Sequence, residues 1–355
     1  MKKQLDFKSP FWNWGGLGFF NCYASVYLYL QGGSGDIVCS AKEGNGCNDC
    51  RNCSDVLNNL FATIQGQWTT RSSWSGEKTK VQEKLDKEFG NSSNASDKLV
   101  DFIIGFTGYD YKKVSRNFNE NIVQSIHEGK PVIAKLKEDQ LSCDCGKGYR
   151  IFIGYDEDTL LEPDYKPAVD HVETTDYSEI ECLYILGEKV PQKYKFIDFL
   201  KIMERAMDSD YSEGIWYDFI QKFDFEGKNF GKLNSAEIKS RFARLRNVMG
   251  WVPNIGHGLH TAFSDDKLLK TLGADNDQLG ELFDVIGYQT HLLHNRGYML
   301  NAICDCANAL DVDEGGQWPW DKHGLITASW QILNSIMDCD LQILMAIKKA
   351  IRKCS

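Results

Sequence analysis

No stretch of this chain approaches the ~20 uninterrupted apolar residues that a membrane helix requires. The opening MKKQLDFKSPFWNWGG has a basic pair, but it lacks the apolar core of a secretory signal. Positive charge is also in deficit: 40 Lys and Arg stand against 50 Asp and Glu, a net charge of −10 with a pI near 5.3. Nucleic-acid binding draws most of its affinity from clustered basic side chains on phosphates, so this balance excludes it. The chain is therefore expected in the cytoplasm, with neither a membrane nor nucleic acid as partner. There the Asn-X-Ser tripeptides at Asn91 and Asn94 read as a polar loop rather than glycosylation acceptors.

What is present suffices for a substantial interior. With 355 residues, 42% hydrophobic and 12% aromatic, the chain can build one large core or two ordinary ones, and two domains are expected. Its twelve cysteines, in a reducing compartment, read as thiols, thiolates or metal ligands rather than a disulfide framework.

The hydrophobic pattern changes near residue 190. NIVQSIHEGKPVIAKL predicts a helix ending at Gly129 and a strand opening at Pro131, while YRIFIGYD, TLLEPDY and IECLYILGEKV predict three successive strands joined by acidic turns. Beyond about residue 194 only helical spacing remains, in FIDFLKIMERAM, SAEIKSRFARLRNVMGWV and two long stretches toward the C-terminus. The expectation is an α+β protein: residues 1–190 carrying an antiparallel sheet, then an all-helical domain over 191–355. The junction GEKVPQKYK reads as an exposed, protease-sensitive linker.

Three segments in order carry a resemblance. FFNCYASVYLYL, then SIHEGKPVIAKL about 110 residues later, then YRIFIGYDEDTLLEPDY, resemble the papain-like fold in its bacteriocin-leader-peptidase-like branch. They are most similar to the N-terminal domain family of the butirosin biosynthesis acyltransferase. The resemblance covers roughly residues 10–190 and implies a papain-like domain with a nucleophilic Cys22 opening a helix. It implies Asp164 as the acidic third member of a triad. The histidine that should open the strand before GYD is absent; Gly148, Tyr149 and Arg150 occupy that neighbourhood. Tyr149, with an ordinary pKa near ~10, is a poor replacement base at neutral pH, and His171 could serve only if its acidic loop folds back over the strand.

The chemistry of such a site is a thiol whose ionisation is favoured by a helix N-terminus and an adjacent imidazolium, with the turn WGGLG keeping a substrate carbonyl close to the free N–H groups of the helix. The resemblance implies a cysteine acyltransferase, or an amidase or peptidase-like hydrolase, working through a Cys22 thioester in secondary metabolism. Its substrate would be a small molecule, a peptide or an acyl-carrier-tethered group. Two other functions fit the residues: an inactive relative that binds a peptide or carrier-tethered ligand, and a metal-stapled scaffold that recruits a partner through its helical half.

A second constellation is CSAKEGNGCNDCRNC. Cys39, Cys47, Cys50 and Cys53 could wrap one tetrahedral zinc as a structural staple, leaving no open position for catalysis. Cys143 and Cys145 sit just before the GYD strand, whereas Cys304 and Cys306 fall on different faces of a helix. HGLH (His257, His260) and HLLH (His291, His294) each put two imidazoles on one helix face, and they read as packing or surface residues. Neither contains the Glu of a zincin motif. DVDEGGQWPWDKHG, with Trp318 and Trp320, reads as a loop between helices.

Overall fold

The computed structural model describes residues 2–7, 18–31, 53–137, 148–157, 159–163, 177–222, 235–263, 273, 276–309 and 322–354. Among them the chain is mixed α+β, with all strands before residue 190 and only helices after it. It divides into two compact units, residues 1–62 with 88–195 and residues 63–87 with 196–355.

The first unit holds every described strand. These are β1 (Lys2–Gln4), β2 (Tyr109–Val114), β3 (Val132–Leu136), β4 (Tyr149–Phe152), β5 (Gly154–Asp156), β6 (Thr159–Leu161) and β7 (Ile180–Lys189), with helices α1 (Phe19–Leu30), α4 (Asp97–Thr107) and α5 (Phe118–His127). The helices α2 (Cys53–Thr69) and α3 (Lys80–Phe89) are each divided between the units. A four-stranded antiparallel sheet runs in the order β2-β7-β3-β4, and a three-stranded one in the order β1-β5-β6.

The segment YRIFIGYD thus forms two strands rather than one. Its first half pairs with β3 and its second half with β1 and β6, with Ile153 between them. Each half satisfies its backbone groups on a different partner, which no local periodicity encodes.

Strand β3 is apolar apart from Lys135, and helices cover both of its faces. Val132, Ala134 and Leu136 join Ile122 and Ile126 of α5 in one cluster, while Ile133 and its neighbours lie under α1. An antiparallel strand open to water on one face would alternate instead. The α5 helix ends at His127, and the chain turns through Gly129 at φ 79° into β3.

The segment read as an exposed linker is exposed at Glu188, Lys189, Val190, Pro191, Lys193 and Lys195, and its backbone is strapped down. Backbone N–H groups of Val190 and Lys193 donate to the carbonyls of Gly108 and Gly105 at 3.0 and 2.9 Å, and Gln192 Nε2 donates to Phe106 O at 2.7 Å. The Tyr194 ring packs on Phe102 at 4.8 Å, and its hydroxyl donates to Asp101 at 2.7 Å. The carbonyls left over at the C-terminal end of α4 are the physical reason: they need donors, and this stretch supplies them.

The second unit contains α6 (Phe196–Ser212), α7 (Ile215–Lys222), α8 (Ser235–Met249), α9 (Val252–Phe263), α10 (Asn276–Ala309) and α11 (Lys322–Cys354). At its centre lies a buried ionic cluster. Arg71 donates through both terminal nitrogens to Asp340 (2.9 and 2.5 Å) and through Nη1 to Asp210 (2.5 Å). Trp216 Nε1 donates to Asp340 and Gln82 Nε2 to Asp210, each at 2.7 Å, and the Trp251 ring lies 4.3 Å from the guanidinium carbon. Buried charges persist only when paired and hydrogen-bonded in this way.

Candidate functional site

The α1 helix is buried almost all round, from Phe19 and Phe20 through Cys22, Tyr23 and Ala24 to Leu28, which makes it a core helix of the first unit. Its aromatic side chains tie it to the sheet and to neighbouring helices. Phe19 lies 5.6 Å from Tyr149 and 5.9 Å from Tyr184, and Phe20 lies 5.6 Å from Phe61.

Cys22 does not open this helix. Gly18 caps it, Phe19 is its first residue, and the Cys22 amide already donates to Gly18 O at 3.2 Å as part of the ladder. The polarised N–H groups of the first turn face another segment. Phe19 N donates to Ser92 O at 2.6 Å and Phe20 N to Ser92 Oγ at 3.2 Å. Ser92 belongs to a tight loop closed by the Gly90–Ala95 bridge, in which Asn91 Oδ1 accepts from the amides of Ser93 and Asn94 at 2.9 Å each. The polar loop expected at NSSNA is therefore real, and it plugs the head of the helix.

Cys22 is wholly buried, and burial pushes its thiol far above the ordinary range. Arg150 pulls the other way and Glu162 adds to the rise, but both are outweighed by desolvation. The thiol is protonated at neutral pH. Tyr149 is also fully buried, burial raises its phenol as well, and its hydroxyl oxygen accepts from Ala95 N at 3.1 Å. That oxygen is committed to the plug loop rather than to the thiol.

The charges acting on Cys22 are those of Arg150 and Glu162. Arg150 Nε lies 3.6 Å from Glu162 Oε2, with both side chains largely buried, and Arg150 Nη1 donates to its neighbour's carbonyl, Tyr149 O, at 2.9 Å. A signal for the pair existed: an arginine inside the apolar strand YRIF requires a buried partner, and Glu162 is the first carboxylate after β6. The groups acting on the thiol are thus a guanidinium–carboxylate pair, beside a phenol whose oxygen is already engaged.

Of the other expected site residues, Asp164, His171, Cys39, Cys47 and Cys50 lie outside the described residues, as do Cys143, Cys145, Trp318 and Trp320. Cys53 is the first residue of α2. Cys304 is buried and Cys306 exposed on α10. Among the described residues no helix is long and apolar enough to cross a membrane. No family model, curated protein or solved structure matches this chain.

Proposed function

We propose that this chain keeps a papain-like cysteine domain to bind a peptide or an acyl-carrier-tethered ligand rather than to turn one over. The carrying observation is at the head of α1, where Ser92 takes the amides of Phe19 and Phe20 while Cys22 is sealed beneath them as a neutral thiol. A thioester mechanism needs a thiolate, an accessible sulfur and N–H donors ready for an oxyanion. All three are opposed by this arrangement, and the charges near the thiol, Arg150 and Glu162, are already paired with each other. The same reading includes a structural zinc wrapped by Cys39, Cys47, Cys50 and Cys53, acting as a staple after α1.

The test is a pulse of iodoacetamide on the native protein followed by peptide mass spectrometry, run beside a panel of acyl thioesters and anilides. Cys22 should stay unlabelled until the protein unfolds, and no hydrolysis or transfer should depend on it. Rapid native labelling of Cys22, together with turnover abolished in C22A, would restore the acyltransferase or amidase reading.

A further inference from the structure

Four of the seven histidines lie on two helices of the second unit, in HGLH on α9 and HLLH on α10. Those helices approach closely because glycines stand where their backbones meet. A Cβ on Gly256 would come within 2.9 Å of the His294 amide nitrogen, and one on Gly297 within 2.9 Å of Pro253 Cδ. At this spacing the rings of His260 and His291 face each other, with centroids 4.0 Å apart and planes inclined by 49°. His294 Nδ1 lies 3.1 Å from Pro253 O. A carbonyl can only accept, so this nitrogen carries a proton, and the contact pins α10 against α9 one turn beyond the facing pair.

Metal binding uses the in-plane lone pair of a neutral imidazole nitrogen, one from each ring. The seam is open to solvent at His291 and half-buried at His260. Neutral imidazole selects the later first-row divalent ions over magnesium or calcium, which prefer oxygen.

The geometry points to a transition-metal site on this seam, with one ring nitrogen from each of His260 and His291 holding a divalent ion of the cobalt-to-zinc series. Among the described residues no group of three His, Cys, Asp or Glu could hold a metal. The site is therefore a two-imidazole chelate completed by water, of exchangeable rather than structural type, and its open positions suit an incoming carboxylate or other anionic donor. His294 is a positioning residue, not a ligand.

Cobalt(II) titrated into the reduced full chain tests this, because its spectrum separates nitrogen from sulfur ligation. A component free of thiolate-to-cobalt charge transfer should appear and saturate near one equivalent. H260A and H291A, or H260Q and H291Q if an alanine variant unfolds, should each weaken that component by about tenfold or more with unchanged far-UV circular dichroism, while magnesium fails to compete. H294A should weaken it less than either ligand variant. A charge-transfer band alone would place the metal on cysteines such as those of the four-cysteine loop and overturn the proposal. Thiolate-free binding that survives in both H260 and H291 variants would overturn it equally.

Discussion

At the scale of the residue, the clearest consequence of burial is at Asp210. Its carboxyl is pushed up to about 6, because desolvation outweighs the attraction of Arg71, and nearby Asp340 adds repulsion. One guanidinium facing two buried carboxylates is neutral only when one of them carries a proton. The folded value lies above the ordinary 3.8 of the unfolded chain, so the folded state holds the proton more tightly. Stability should therefore rise as pH falls through 6 and the full gain should be present below 3.8; ionised Asp210 costs at most about 3 kcal/mol at pH 7 and above. Most carboxylates act in the opposite sense, so the difference between wild type and D210N isolates this one. Thermal melts from pH 7.5 to 5 should show a gain in the wild type relative to D210N, and parallel curves would refute the assignment. Cys22 belongs to the same physics: burial raises its thiol as it raises the Asp210 carboxyl.

At the scale of the element, α1 shows what local pattern conveys and what it omits. The run FFNCYASVYLYL announces a short apolar helix, and one forms. Its start could not be read, because the cap comes from Ser92, seventy-two residues from Phe20, rather than from the residue at the helix head. Replacing Ser92 by Ala removes the hydroxyl that accepts from Phe20 N and should lower stability by about 1 kcal/mol, as for other lost N-terminal caps. Chemical denaturation of S92A measures this, and an unchanged midpoint would show that the hydroxyl contributes nothing there. Strand β7 and the helices after residue 194 were legible because their apolar periodicity is strong and local. The division of YRIFIGYD between two sheets was not, since a strand's partner is chosen by distant segments. Arg150 and Glu162 were hidden for the same reason: only the fold brings a residue of β4 to one that follows β6.

At the scale of the whole molecule, the sequence pattern suggests a helical domain that begins after residue 190, but the second compact unit also recruits residues 63–87. That segment carries Arg71, Gln82 and Thr79. Arg71 pairs with Asp210 and Asp340, Gln82 donates to Asp210, and the hydroxyls of Thr79 and Ser209 lie 2.8 Å apart. A fragment of residues 196–355 would keep both aspartates in its interior and lose the Arg71 guanidinium that pairs with them. Removing one partner of a buried ion pair typically costs about 3–5 kcal/mol, which is comparable with the whole stability of many domains. The fragment also loses Trp68, buried in the full chain and outside its boundaries. Expressed alone, it should be aggregated or molten, with helical far-UV circular dichroism but no sharp thermal transition. Replacing Asp210 and Asp340 together by Asn should recover part of the transition, since it removes the uncompensated charges while leaving the helices intact. A fragment that melts cooperatively without these changes would show that residues 63–87 are dispensable and that the helical part is a domain in its own right.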